Sequence, residues 1–310
     1  MKVKGWSGMV YPVYLSLDED QWKEKIERSD ELASPCILCG RRCGVDRSLQ
    51  AGICKAKGKA IVSSVGPHFG EEPPLVGRKG SGTIFFSGCN LECIYCQNYE
   101  ISHLRSGRRM SNEELSKQML KLQRWGCHNI NLVSPTHEVP NILRAIKMAA
   151  EDGLNIPIVY NTGGYDSIET VELLDGVVDI YMPDMKYGDE KYAMEYSKVA
   201  KYPEINFAAV KEMHRQVGDL VIGEDGVAIR GLIVRHLVLP NGLANTKKVM
   251  DFIAQEISKD SYVNIMAQYR PCFEAINHPL LGRGVTREEY QEALEVAVSA
   301  GLTRLEASGW

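Results

Sequence analysis

The sequence predicts an α/β fold, a parallel sheet covered by helices and built as a partial (β/α)6 barrel, preceded by a small Cys-rich metal-binding module. From residue 81 onward, short β-rich segments alternate with amphipathic helical segments, which is typical of parallel sheets. About six such units can be counted, too few for a closed barrel of eight. Seven of the nine cysteines lie between positions 36 and 96, so metal chemistry is expected in the first third of the chain.

Length and composition predict an ordinary globular protein. The chain has 310 residues, of which 44% are hydrophobic, enough for one or two domains. We expect an N-terminal helix and four-Cys module over residues 1–65, a Pro/Gly-rich linker over 66–80 and the barrel over 81–310.

Charge and hydropathy exclude several partners. The net charge of −4 and the pI near 6.0 provide no basic field for nucleic acid. No apolar run approaches the ~20 residues of a membrane helix, and the N-terminus, with Lys2, Lys4 and Trp6, lacks the apolar core of a signal peptide. A cytoplasmic protein without a membrane or nucleic-acid partner is therefore expected.

The individual elements follow from capping and periodicity. Ser111 with Glu114 and Thr286 with Glu289 form capping boxes that begin two helices. The predicted helices cover residues 18–33, 111–125, 140–152, 167–174, 246–257 and 286–300, with less regular helical sequence over 189–217. The predicted strands cover residues 83–86, 129–134, 156–160, 177–182, 232–239 and 262–267, with a hairpin turn at 223–226 and a short additional strand at 302–306.

A three-Cys motif, Cys89-x3-Cys93-x2-Cys96, follows the first barrel strand. A four-iron cluster normally takes four Cys ligands, one on each iron. Three thiolates in one loop, with no fourth Cys nearby, would leave one iron open to a substrate or cofactor. The alternatives are a zinc site with a distant fourth ligand, or three buried thiols without metal.

A second group of cysteines precedes this motif, in the spacing Cys36-x2-Cys39-x3-Cys43-x10-Cys54. Four soft ligands in a Gly- and Arg-rich segment can complete a site and leave no open position. Tetrahedral zinc and a fully ligated second iron–sulfur cluster both satisfy this spacing. Four cysteines without metal are the remaining alternative.

From about residue 80 to 270 the chain resembles the radical S-adenosylmethionine (SAM) superfamily, in particular homologues of pyruvate formate-lyase activating enzyme. The Cys89 motif, with an aromatic residue before its last Cys, is similar to the superfamily signature. The segment Tyr160–Gly163 resembles the family's Thr-Asn-Gly segment, Met182–Lys186 its Asp-Leu-Lys segment, and Val234–Pro240 its arginine-bearing strand. Ser134–Glu138 stands where the family has a Gly-Gly-Glu-like segment, without the two glycines. A four-Cys group before the SAM motif resembles the uncharacterised branch of these homologues.

The resemblance implies a [4Fe-4S] cluster held by the three cysteines, with SAM on its open iron. It further implies that an external reductant, flavodoxin or ferredoxin, reduces the cluster, and that SAM is cleaved to a 5′-deoxyadenosyl radical that takes hydrogen from a substrate. That substrate would be a partner protein, such as one of the glycyl-radical type, or a small molecule. The residues expected to contact SAM are Tyr95, Asn98, Thr136, Glu138, Asn161, Asp184, Lys186 and Arg235.

Other interpretations of these residues stay open. Charged residues at strand ends, such as Asp184, Lys186 and Arg235, often form loop salt bridges or helix caps. The rival function is a non-catalytic iron–sulfur electron carrier or metal-binding protein. Such a protein needs fully ligated clusters, whereas the three-Cys motif leaves a position open.

Overall fold

The computed structural model describes residues 11–308; the expectation about the extreme N-terminus therefore lies outside the described residues. Its strands are β1 Ala60–His68, β2 Ser81–Phe86, β3 Arg108–Met110, β4 Ile130–Val133, β5 Ile158–Thr162, β6 Ile180–Pro183, β7 Val221–Ile222, β8 Ala228–Leu237, β9 Tyr262–Met266 and β10 Arg304–Ser308. Within this part of the chain no helix is long and apolar enough to cross a membrane.

Helices connect these strands. The α-helices are α1 Glu19–Ala33, α2 Pro73–Val76, α3 Tyr99–Ser102, α4 Asn112–Arg124, α5 Val139–Glu151, α6 Ile168–Leu173, α7 Glu190–Ser197, α8 Tyr202–Val217, α9 Thr246–Phe252 and α10 Arg287–Ala300. Shorter 3-10 turns cover Val13–Ser16, Thr136–Glu138, Pro240–Gly242 and Phe273–Asn277, and a π-helical turn covers Ile253–Ile257. The predicted capping boxes of α4 and α10 are present, and a third one begins α1.

The predicted α/β fold class is confirmed. The described strands form one sheet in the order β10-β9-β8-β6-β5-β4-β2-β1-β3, with β7 paired to β8. The pairs along β2, β4, β5, β6, β8, β9 and β10 are parallel. β1 pairs antiparallel with both β2 and β3, and β7 pairs antiparallel with β8. The parallel strand beyond the predicted six units is β10, which the sequence indicated as a short extra strand. Because the carboxyl ends of parallel strands meet at one edge, the loops after β2, β4, β5, β6 and β8 face each other.

The sequence did not reveal β1 and β3. β1 contains Gly66 and Pro67, both of which are depleted in strands, and it is stabilised by pairing with distant β2 and β3. The predicted domain boundary at residue 65 falls inside β1, and the predicted linker 66–80 contains α2. We therefore propose that the Cys-rich module ends before residue 60 and that β1 belongs to the barrel.

A buried aspartate ties the beginning of the described chain to the barrel. Asp179, directly before β6, is fully buried. Its carboxylate accepts the backbone N–H groups of Val13 and Ile158, each at 2.9 Å. Burial raises the pKa of Asp179 to about 7, although these two hydrogen bonds oppose the shift.

We predict that Asp179→Asn loses about 1 to 3 kcal/mol of unfolding free energy at pH 5, because one backbone N–H then faces an amide NH₂ group. The Asp179 pKa is raised on folding, so its contribution to stability is complete below pH ~4 and is lost as the pH rises through about 7. The difference in unfolding free energy between Asp179→Asn and the wild type should therefore become smaller towards pH 8. Urea unfolding measures it; Asp152→Asn, at an exposed position, is the control and should not change stability. A difference that widens with pH would contradict the prediction.

Candidate functional site

The three-Cys motif lies in the loop of residues 87–98, called here the Cys89 loop, at the carboxyl end of β2. Ser87 N–H donates to Ile61 O at 2.8 Å and Gly88 N–H to Ile101 O at 3.0 Å, which fixes the start of the loop. Gly88 has φ +89°, and a Cβ there would lie 2.4 Å from the carbonyl oxygen of Cys54. This position therefore requires glycine.

Each of the three sulfurs has a hydrogen-bond donor within reach. Cys93 Sγ lies 2.9 Å from the Ser197 hydroxyl and Cys96 Sγ lies 3.1 Å from the Ser102 hydroxyl. Leu91 N–H donates to Cys89 Sγ at 3.4 Å. Both hydroxyls can donate to thiolates, and hydrogen bonds to ligand sulfurs are a usual means of tuning iron–sulfur clusters.

The three cysteines line one cavity of about 150 Å³. The cavity is also lined by Asn98, Ser134, Asn161, Thr162, Gly163, Lys186 and Arg235. Burial raises the pKa of the Cys89 thiol to about 12 and that of the Cys93 thiol to about 11, with Lys186 opposing both shifts. A bound metal would reverse this, since coordinated thiols are deprotonated. Three soft donors around one polar cavity fit a four-iron cluster with one iron free of Cys.

A buried ion network forms one wall of the cavity. Asp184, after β6, accepts Lys186 Nζ at 2.6 Å and Arg235 Nε at 2.9 Å. Arg235 Nη2 also donates to Asn161 Oδ1 at 2.7 Å. Burial alone would raise the pKa of Asp184, but Arg235 and Lys186 hold it below its usual range. Glu72 approaches Arg235 to 4.0 Å from the barrel interior.

The structure thus brings most of the predicted cofactor residues together. Asn98, Asn161, Lys186 and Arg235 line the cavity with the cysteines, and Asp184 holds the last two. Their proposed contacts with SAM stay predictions.

Four predicted cofactor residues do not line this cavity: Asp184, which lies behind Lys186 and Arg235, and the three residues Tyr95, Thr136 and Glu138. Tyr95 is buried behind the loop, with its hydroxyl 2.6 Å from that of Tyr187. The Thr136 hydroxyl donates to the buried carboxylate of Asp166 at 2.7 Å. Glu138 accepts Asn141 Nδ2 at 2.7 Å, and burial raises its pKa to about 7. Each of these side chains is hydrogen-bonded to neighbours inside the protein, and the predicted contacts of the three residues with SAM stay predictions.

Sequence reasoning missed Ser134, Ser102 and Ser197. Ser134 lines the cavity and has φ +57°, a conformation that favours glycine. Ser134 stands where the family has its Gly-Gly-Glu-like segment. A glycine in the family at a position that is Ser here was the signal that the backbone takes an unusual conformation at this position. Ser102 and Ser197 carry no sequence signal, because they meet the sulfurs only through folding.

The four-Cys segment packs directly against this site. A Cβ at Gly52 would lie 3.2 Å from Cys43 Sγ and 3.6 Å from Cys54 Sγ, so both sulfurs lie close to this glycine. Arg47 Nη1 lies 3.9 Å from Cys36 Sγ, while its Nη2 donates to His137 O at 2.7 Å. Burial raises the pKa of the Cys39 thiol to about 12. Among residues 11–308, no three His, Cys, Asp or Glu side chains are grouped for a single metal ion.

Two further contacts join the Cys segments. Arg41 Nε donates to the carbonyl of Asn90 at 2.6 Å. The carbonyl of Tyr165 accepts both Gly40 N–H, at 3.1 Å, and Asn90 Nδ2, at 3.0 Å. The Tyr165 carbonyl thus binds both Gly40, next to Cys39, and Asn90, next to Cys89. Together with the close approach of the Cys54 carbonyl to Gly88, these bonds hold the two Cys segments together.

We predict that Asp184→Asn lowers the unfolding free energy by about 3 to 5 kcal/mol, because Lys186 and Arg235 lose their buried anion. Urea unfolding of the metal-free protein measures it. Adding Lys186→Met should recover part of the loss by removing one uncompensated cation. Asp251→Asn, which breaks the exposed pair with Lys247, is the matched control and should not change stability measurably. Equal effects of the two aspartate variants would contradict the prediction.

Comparisons with solved structures report similar chains of greater length. SuiB of Streptococcus suis bound to S-adenosylmethionine matches with a TM-score of 0.48 and 12% identity, over 71% of this chain and 48% of the SuiB chain. HydG, a maturase of the [FeFe]-hydrogenase, matches with a TM-score of 0.49 and 10% identity, over 95% of this chain and 64% of HydG. The chain thus spans about half of the length of SuiB.

Comparisons with known sequences identify the family. Residues 83–228 match the sequence model of the Radical SAM superfamily. "Uncharacterized protein MJ0674" of Methanocaldococcus jannaschii is 36% identical over 288 residues, covering 90% of this chain and 78% of that protein. The pyruvate formate-lyase-activating enzyme of Clostridium pasteurianum is 27% identical over 129 residues, covering 40% of this chain and 53% of that enzyme. With its three-Cys loop at the carboxyl edge of a parallel sheet, the chain belongs to the radical SAM superfamily.

Proposed function

We propose that this protein is a radical SAM enzyme that cleaves SAM reductively and removes hydrogen from a substrate held at the carboxyl edge of the barrel. The observation that carries the proposal is the cavity in which Cys89, Cys93 and Cys96 meet the polar ends of β5, β6 and β8. Cys89, Cys93 and Cys96 would hold a [4Fe-4S] cluster there, and this cluster, when bound and reduced, would supply the one electron needed for the reductive cleavage of SAM.

The chain's own residues position the reactants in this proposal. Cys89, Cys93 and Cys96 hold the cluster, while Lys186 and Arg235 offer positive charge to the carboxylate of SAM. Asp184 pairs with both side chains, so Lys186 and Arg235 are already oriented before SAM binds. Their side chains therefore need to move little on binding. Asn98 and Asn161 offer amide groups for the adenosine and amino parts. The cavity is partly enclosed by protein, which would limit the access of water to the reacting groups.

A flavodoxin or ferredoxin is the proposed reductant, and the substrate is a partner protein or a small molecule. The partial similarity to pyruvate formate-lyase-activating enzyme supports a partner protein of the glycyl-radical type. The rival, a non-catalytic electron carrier, differs in one measurable respect, since it would not convert SAM to 5′-deoxyadenosine.

We predict that the anaerobically reconstituted, dithionite-reduced protein converts SAM to 5′-deoxyadenosine. Cys89→Ala, Cys93→Ala and Cys96→Ala should each abolish this conversion and remove about four irons per chain, because all three thiolates are needed to hold the cluster. Iron analysis and chromatography of the nucleoside measure these outcomes. Cys127→Ala, at a buried thiol in the hydrophobic core, is the control, and it should keep both the conversion of SAM and the full iron content. A SAM-cleaving variant without one of the three cysteines would overturn the assignment.

We further propose that Cys36, Cys39, Cys43 and Cys54 hold a second metal centre, either zinc or a fully ligated iron–sulfur cluster. Four thiolates leave no open position for SAM, so this centre would be structural or electron-relaying. The support is the four-Cys spacing, together with the position of the Cys43 and Cys54 sulfurs, both close to Gly52.

We predict that Cys36→Ser with Cys39→Ser removes about one zinc or about four irons per chain and lowers thermal stability, because metal binding contributes folding free energy to this segment. SAM binding at the Cys89 loop should be retained. Metal analysis and thermal unfolding measure the outcome. The matched control is Cys127→Ser with Cys272→Ser, which should keep the full metal content. If both double variants retain all metal, the four cysteines are not ligands.

A further inference from the structure

The strongest feature outside the cavity is a positively charged surface beside the four-Cys segment. In residues 49–59 and 104–109 the sequence has six Lys or Arg and no Asp or Glu, although the whole protein carries a net charge of −4. Of these cations, Arg108 pairs with Glu114 at 3.2 Å. The other five form no ion pair in the part of the chain that the structure describes. Four of these five are exposed, and we call these four the basic patch: Lys55, Lys57, Lys59 and Arg109. Arg105 lies beside them but is only partly exposed, with a buried Nε.

Backbone contacts place the two segments of the patch side by side. Arg105 Nη2 donates to the carbonyl of Lys55 at 2.6 Å. Ile61 and Ala60, directly after Lys59, pair with Arg109 and Met110 in the β1–β3 ladder. The Lys57 ammonium donates to the carbonyl of Leu49, which extends the surface towards the four-Cys segment.

Exposed apolar side chains accompany the charges. Leu49, Ile53 and Leu104 are 72%, 41% and 66% exposed. A combination of exposed apolar and charged side chains is compatible with protein recognition, in which apolar contacts are surrounded by polar ones.

Both groups of cysteines are connected to this surface by chain adjacency and by direct contacts. Cys54 stands between the exposed residues Ile53 and Lys55, and its carbonyl packs on Gly88 of the Cys89 loop. Leu104 and Arg105 follow Ser102, whose hydroxyl lies 3.1 Å from Cys96 Sγ. A molecule docked on the patch would therefore sit near the Cys89 site whichever metal the four cysteines hold.

We propose that the basic patch is the docking surface for the electron donor, and that this donor is a small acidic electron-transfer protein. The inference rests on the proposed function and adds to it the place and charge of the partner. The electron balance is simple: the reduced donor loses one electron and the cluster gains one, and no bond or proton moves at the interface. Complementary charge suits a transient contact of this kind, because it raises the association rate without a large buried area.

The test compares two triple charge reversals. The patch variant is Lys55→Glu, Lys59→Glu and Arg109→Glu; the control variant is Lys191→Glu, Lys259→Glu and Arg287→Glu, at exposed positions elsewhere. Reduced flavodoxin is the probe, and the loss of visible absorbance of the reconstituted protein gives the rate of reduction. We expect the patch variant to be reduced at least tenfold more slowly at low salt, and the control within about twofold of wild type. The difference should shrink at high salt, since exposed charges are then screened.

Several outcomes would overturn the proposal. Equal rates for the patch and control variants would show that the donor docks elsewhere. If the patch variant instead loses binding of a fluorescent 20-nucleotide RNA while its reduction rate is unchanged, the surface serves nucleic acid. Reduction by dithionite should be the same in all three proteins and shows that the cluster is intact. Because cluster reduction is followed without SAM, failure of SAM cleavage would count against the proposed function and leave this test valid.

Discussion

The arrangement of the candidate site depends on the neutralisation of charge around Asp184. A carboxylate and two cations lie largely out of water, and burial of such groups costs several kcal/mol unless they are paired. Pairing is possible only if the ends of β6 and β8 stay in their present register, and Arg235 extends the constraint to β5 through Asn161. The cations that face the cavity are therefore oriented by the sheet itself.

The Cys89 loop is attached to the core through contacts of its cysteine sulfurs and of Tyr95. Ser197, at the end of α7, reaches Cys93 Sγ and also lies 2.7 Å from the Tyr187 hydroxyl. Tyr187 in turn contacts the Tyr95 hydroxyl at 2.6 Å. Tyr95 is thus an anchor behind the loop. A loop held on both sides in this way loses little freedom when it binds a cluster, which favours binding.

The carbonyl oxygen of Cys54 lies so near Gly88 that a Cβ at that position would be only 2.4 Å from it. A side chain at position 88 would collide with the Cys54 carbonyl, so the sequence of one segment restricts that of the other. Arg41 and Tyr165 reinforce this contact with hydrogen bonds to Asn90. The four-Cys segment therefore packs against the Cys89 loop and supports it. The proposed electron donor would dock on the surface of this segment.

The sequence by itself determined the α/β class, the order of the parallel strands and helices, and the three-Cys loop, because local periodicity, capping boxes and Cys spacing act over short distances. It also indicated that Asn161, Lys186 and Arg235 meet, since residues at the ends of parallel strands share one edge. Three features became visible only in the folded chain: β1 joins the sheet, Ser102 and Ser197 reach the sulfurs, and Thr136 and Glu138 bond to Asp166 and Asn141. These outcomes depend on contacts between residues far apart in the chain, where burial and hydrogen bonding decide the direction of a side chain and local pattern carries no information.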